Sequence, residues 1–299
     1  MSGLQERSRG GMPVRVVGID CQATTPDALL ALERLAARDA ATAAQLREEL
    51  ELVVGEKARG MRHPELVRGL DTQQLERYIK VLERLEAACA GDARAVDAAR
   101  RARQGLASFR PEASDAKPEE ASMEDWSLRD RFMAENLLAD GSHRGVFWGH
   151  NVHVFGGRPN GQLEGYRPSG SFLREALGSR YRVVLFDYVT AEIRAVPVPT
   201  DGSQPDATQP TAVSKREVLP AALAAELDGL DERSHWVDLA ALERSGVAGE
   251  WFATPRAVDW PGYAMLAARG PEDYLVLPLE GLCDVLVVLE RMGPSRPLR

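Results

Sequence analysis

"GVFWGHNVHVF", running from Gly145 to Phe155, sets His150, Asn151 and His153 into an otherwise apolar run. Val146, Phe147 and Trp148 form a continuous hydrophobic stretch, the pattern of a strand covered on both faces as in parallel sheets. Polar residues have no place inside such a strand, so the expected boundary lies at Gly149. In open α/β sheets ligands gather beyond the carboxyl ends of the strands, where His150, Asn151 and His153 would sit. Residues three apart point to opposite faces of a straight strand but converge in a helical turn. Two imidazoles on one turn provide a base and an electrophile near neutral pH. The plain alternative is a turn histidine bonded to backbone beside a solvent-facing one. The Gly-rich "GGRPNGQLEGYRPSG" that follows reads as a loop mobile enough to close over a ligand.

Helical and apolar patterns alternate on either side. "PVRVVGID" (13–20) reads as a first strand ending at Asp20, Cys21 and Gln22. From Thr25, with Pro26 at the first helical position, a long helix runs towards Val54. Further helices are expected in 65–90, broken near Asp71, and in 92–109. Residues 25–108 thus form a helical insertion after the first strand, and 109–122, rich in Pro, Ser and Glu, a linker. "MEDWSLRDRFMAENLLAD" is a helix, "SGSFLREALG" a short helix closed by Gly178, and "YRVVLFDYV" a strand with "AEIRAVPV" as its partner. A surface loop at 199–212 and a helix at 219–230 precede two strands, "HWVDL" and "CDVLVVLE". The expected fold is α/β, a largely parallel sheet flanked by helices, forming one domain over residues 1–299.

Asp20 and Gln22 would share the sheet edge with the histidine turn, either orienting an imidazole or opening the helix that follows. Arg129, Asp130, Glu135 and Asn136 lie on one helix among apolar neighbours and need partners. An Arg129–Glu135 network is expected there, with Asp130 on a solvated face. His63, His143 and His235 read as surface residues. The chain has 299 residues, a formal net charge of −8 and three widely separated cysteines, Cys21, Cys89 and Cys283. That argues against nucleic acid and anionic membranes as partners and for free thiols in a reducing cytoplasm. No apolar run approaches the roughly 20 residues that span a bilayer. Serine-hydrolase elbows, phosphate-binding P-loops and dinucleotide fingerprints are absent, and no cofactor or resident metal is expected.

Taken in order, "RVVGIDCQ", "RDRFMAENLL", "VFWGHNVHV", "GSFLREALGSRYRVVLFDY" and "CDVLVVLERMGPSRPL" resemble the erythromycin esterase family. The resemblance implies a hydrolase that opens esters or lactones of small molecules by histidine-assisted attack of water. It makes His150 and His153 the catalytic candidates, with Asp20, Gln22, Arg129, Glu135 and Asn151 binding substrate or supporting them. It also implies a chain lacking roughly the first quarter to third of the family. The base histidine of that region lies in a Gly-Glu-x-x-His-Gly-like segment, and "GEKARG" (55–60) is no copy of it. Two further readings follow: a non-catalytic domain that retains the cleft without the base, and a metal-dependent hydrolase with His150, His153 and Asp20 as ligands. With strands missing, "VVGI" and "VFWG" would expose a sheet edge, so self-association or a covering partner segment is expected.

Overall fold

The computed structural model describes residues 17–59, 61, 66–67, 69–108, 123–141, 145–159, 163–197, 212–217, 234–242, 247–259, 264–265 and 274–293. They fall into two compact units, Met1–His143 and Arg144–Arg299.

The first unit is helical: α1 (Thr24–Ala36), α2 (Ala40–Glu49), α3 (Glu51–Val54), α4 (Glu56–Arg59), α5 (Thr72–Ala88), α6 (Ala93–Ala107) and α7 (Met123–Ala139). The long helix expected from Thr25 is three pieces. Asp39 breaks it, because its carboxylate accepts the Thr42 N–H at 3.0 Å and so starts α2 afresh. Thr25 lies inside α1, which starts at Thr24, earlier than expected; it is buried and donates its hydroxyl to the Val53 carbonyl at 2.7 Å. The break at Asp71 is as expected: Asp71 and Gln74 close a reciprocal capping box on α5. Asp92 caps α6 through the Ala95 N–H.

Packing follows the small residues. α6 turns Ala95, Ala98, Ala99, Ala102 and Leu106 inward at helical spacing, all essentially buried. Alanine on this stripe lets α1 and α5 approach closely. They bring Leu32 and Leu35, and Tyr78, Leu82 and Leu85, into one core. Across it runs a partly buried ion pair: Arg101 donates to both carboxylate oxygens of Asp27, at 2.8 and 3.1 Å. Burial pushes the Asp27 carboxyl above its ordinary range, and the hydrogen bonds and charge of Arg101 only partly reverse this.

The second unit combines short helices, α8 (Asn151–Val154), α9 (Ser169–Leu177), α10 (Leu239–Leu242) and α11 (Val247–Ala253), with strands β1 to β7. β1 (Val184–Pro197), β2 (Ala212–Glu217), β3 (Ser234–Asp238) and β7 (Val285–Met292) form a sheet in the order β2-β1-β7-β3, with β5 (Ala264–Met265) also on β1. A separate pair joins β4 (Arg256–Asp259) to β6 (Tyr274–Leu277). β1 runs parallel to β7 and β5, but β2 and β3 are antiparallel. The described sheet is therefore mixed, and only part of it meets the expectation of parallel strands. "AEIRAVPV" does not fold back as a partner; it continues β1, and β2 takes the partner's place.

Two expected strands are not found among the described residues. Val17–Asp20 has no regular structure, and residues 13–16 lie outside the described residues. Gly145–His150 is likewise outside any ladder, with Val146 and Trp148 left 87% and 84% exposed. An apolar pattern shows that a segment suits a buried strand; it forms one only where a neighbour completes its hydrogen bonds. The linker 109–122, the loop 199–211, the helix at 219–230, His63 and His143 lie outside the described residues, as does the side chain of His235.

Asp284, just before β7, ties this unit together. Its carboxylate accepts Arg174 of α9 at 2.6 and 3.2 Å and the Val183 N–H at 2.7 Å. Burial works to raise its pKa, but Arg174 and the Val183 amide outweigh burial and hold it below the usual carboxylate range. The folded pKa is thus below the unfolded one, which is about 3.9 for Asp. The stabilisation is complete above that value and disappears as pH falls through the folded pKa. Unfolding free energy measured from pH 7 to 2 should therefore fall less steeply below pH ~4 in Asp284→Asn than in the parent.

Candidate active site

The histidine turn is α8, a single helical turn. His150 is its N-terminal cap, with Nδ1 facing the Val152 N–H at 3.4 Å and its carbonyl accepting the His153 N–H at 2.9 Å. Val152, Val154 and Phe155 are buried and anchor the turn from below. His150 and His153 remain partly exposed, their ring centroids 6.5 Å apart and nearly perpendicular. The convergence expected of two residues three apart in a turn is realised.

The bonds made by each ring bear on its tautomer. An Nδ1 that accepts a backbone N–H leaves the proton of the neutral ring on Nε2, so His150 presents a donor. His153 Nδ1 lies 3.2 Å from the hydroxyl of Tyr166, a side chain only 1% exposed. With Nδ1–H given to that oxygen, Nε2 of His153 keeps a lone pair. Tyr166 is hidden in the sequence because it lies in what reads as a glycine-rich loop. A large aromatic amid polar and glycine residues was the available signal.

Asn151 serves a different end. Its Nδ2 donates to the Phe186 carbonyl of β1 at 2.8 Å, clamping the turn to the sheet. The glycines beyond the turn mark close backbone approach. Gly156 N–H donates to the Leu282 carbonyl at 2.7 Å, and a Cβ on Gly157 would press on the Gly281 carbonyl. A Cβ on Gly170, in the first turn of α9, would collide with the carbonyl oxygens of Val154 and Phe155. Those are rigid backbone atoms, so Gly170→Ala is expected to cost ~1–3 kcal/mol or more and to displace α8. Urea unfolding of the variant, with NMR shifts of His150 and His153, measures both effects.

Asp20 and Arg129 lie in the first unit. Arg129 Nε and Nη2 grip the two Asp20 oxygens at 3.1 and 2.7 Å. Burial works to lower the Arg129 pKa, but the bonds and charge of Asp20 prevail and raise it. Asn136 donates to the Ile19 carbonyl at 3.0 Å and to Gln104 at 2.8 Å. The segment 19–20 is thus pinned to α7 by side chains. Between them Cys21 is fully buried, and its thiol is pushed up to about 11 by burial first and the Asp20 charge second. Two expectations change here. Glu135 pairs with Arg131 on the exposed face instead of with Arg129; the one-residue offset puts it on the outer side of the helix. Asp130 is buried, 1% exposed, not solvated. Gln22 is exposed, and Asp20 is committed to Arg129. Among the described residues, no group of three His, Cys, Asp or Glu side chains stands ready to hold a metal ion. No described helix is long and apolar enough to cross a membrane.

A helical unit and a unit that combines short helices with a mixed sheet place the chain among proteins of mixed helix and strand. The erythromycin esterase family profile matches residues 2–292, and the chain belongs to that family. Solved structures share the fold. A Bacillus cereus protein matches with a TM-score of 0.72 at 18% identity, over 98% of this chain and 70% of its own. A succinoglycan biosynthesis protein matches at 0.75 and 14%, over 97% of this chain and 68% of its own. A histidine-to-asparagine mutant of the erythromycin esterase EreC in its open conformation matches at 0.56 and 15%, over 93% and 68%. Among curated proteins no sequence match was found.

Proposed function

We propose that the chain is a hydrolase that opens ester or lactone bonds of a small molecule by histidine-assisted attack of water. The observation that carries the reading is the convergence of His150 and His153 on one anchored turn, in a member of the erythromycin esterase family. In this reading His153, its Nδ1–H held by Tyr166, takes a proton from water at Nε2 as the oxygen attacks the carbonyl carbon. The Nε2–H of His150 steadies the oxyanion of the tetrahedral intermediate. Collapse breaks the C–O bond, the leaving alkoxide recovers the proton from His153, and an acid and an alcohol depart. Arg129 and Asp20, which the resemblance names as supporting residues, form an ion pair within the helical unit. The reaction so drawn uses no metal or cofactor. The whole chain is read as one erythromycin-esterase-like domain with residues 25–108 inserted, working in a reducing cytoplasm.

The test is turnover of a p-nitrophenyl ester and of a macrolactone by the purified chain. His150→Ala is expected to lower kcat by ~10²–10³-fold, the usual cost of losing one oxyanion donor. Hydrolysis no faster than buffer would sink the proposal and favour a domain that keeps the cleft without the chemistry.

A further inference from the structure

The register of the sheet lines up an uncovered apolar row. Phe186 of β1 pairs with Val287 of β7, which pairs with Trp236 of β3, so the three side chains share one face. Trp148 extends the row, its ring 6.1 Å from that of Phe186. Val184 and Val285 form a second row on the same face. The opposite face, with Leu185, Leu286 and Val288, is buried. On this one, Trp148 is 84%, Trp236 70%, Phe186 44% and Val184 42% exposed.

The size of this surface decides what fits it. Aromatic side chains bury about 150–250 Å² each. At those exposures the three rings alone offer on the order of 300–500 Å², and Val184 on the same face adds to it. That reaches the largest apolar patches monomers usually carry. Doubled across a two-fold axis and with the valines included, it comes to about 1,000 Å², where specific interfaces begin. The row runs Trp148, Phe186, Val287, Trp236, so a two-fold across it sets Trp148 of one copy against Trp236 of the other and Phe186 against Val287. We propose that this face is the interface of a homodimer and that the occupant is a second copy of this chain. Because Trp148 leads directly into His150, the second copy would wall one side of the histidine turn. The proposal does not depend on the hydrolase reading.

Sedimentation equilibrium of the full chain between about 0.1 and 50 μM tests it. A species of twice 32.7 kDa is expected. Trp148→Lys and Trp236→Lys should each weaken association at least ~30-fold, as hot-spot aromatics do, while Trp126→Lys, in the helical unit, should not. Circular dichroism checks that the variants stay folded, which their exposure favours. Tryptophan emission of the parent should shift to the red on dilution. A monomer at 50 μM would overturn the proposal, as would a dimer indifferent to both substitutions.

Discussion

Replacing His153 with alanine is expected to lower kcat/KM for an ester substrate by ~10²–10⁴-fold, the range supplied by a positioned proton-transfer group. The expectation rests on where the ring's two nitrogens go. Nδ1 faces the Tyr166 hydroxyl, on a side chain that burial fixes in place, and the proposed mechanism uses Nε2 as the base. Tyr166→Phe keeps the buried ring and removes the hydroxyl that faces Nδ1. It should lower kcat by ~10-fold with little change in KM and shift the pH–rate profile, because the bond that selects the tautomer is gone. If Tyr166 only packs, the variant loses stability while its pH profile stays in place. Steady-state kinetics from pH 5 to 9 on both variants separates the two outcomes.

Arg101→Ala is expected to cost ~3–5 kcal/mol of stability, because it leaves Asp27 as an uncompensated charge in the helical core. The loss has a pH signature. Asp27 already has a raised pKa in the folded state, so its protonated form favours folding. That contribution is complete below the unfolded pKa and lost as pH rises through the folded one. Without Arg101 the folded pKa climbs further, so the variant should be less compromised near pH 5 than near pH 8. Replacing both partners with leucine should return most of the loss, since a buried pair is often matched by apolar packing of similar volume. Urea titrations at the two pH values check each step, and a large loss in the double variant would count against this account.

The helical unit was legible in the sequence because its signals are local. Asp71 with Gln74, and Asp92 before the alanine stripe, announce themselves within a turn or two. Asp39 shows the limit, as apolar periodicity runs straight through a position whose carboxylate restarts the helix. The strands were harder because a ladder is a relation between distant segments. Val146 to Trp148 has the composition of a central strand, yet Val146 and Trp148 stand exposed, whereas "AEIRAVPV", expected to pair with the residues before it, pairs with β2, a strand outside the expectations. In the candidate site, the histidine pair was readable from its spacing. Tyr166 and the Asn151–Phe186 clamp were not, since each depends on chain brought back across intervening residues. Arg129 was singled out correctly as needing a partner, and the partner proved to be Asp20, 109 residues earlier.

The attachment of the stretch around Ile19 has a consequence for how this protein can change over time. Asn136 holds the main-chain oxygen of Ile19, not its side chain, and no ladder fixes Val17–Asp20. Residue 19 is therefore interchangeable as far as that bond is concerned, because every amino acid offers the same oxygen. Position 136 has no such latitude: an aspartate there would bring no amide hydrogen, and a glutamine would overshoot. Information about where the early chain lies is stored more than a hundred residues downstream, on a helix. A one-residue insertion between Ile19 and Asp20 would leave the Asn136 bond intact and still pull Asp20 out of the grip of Arg129.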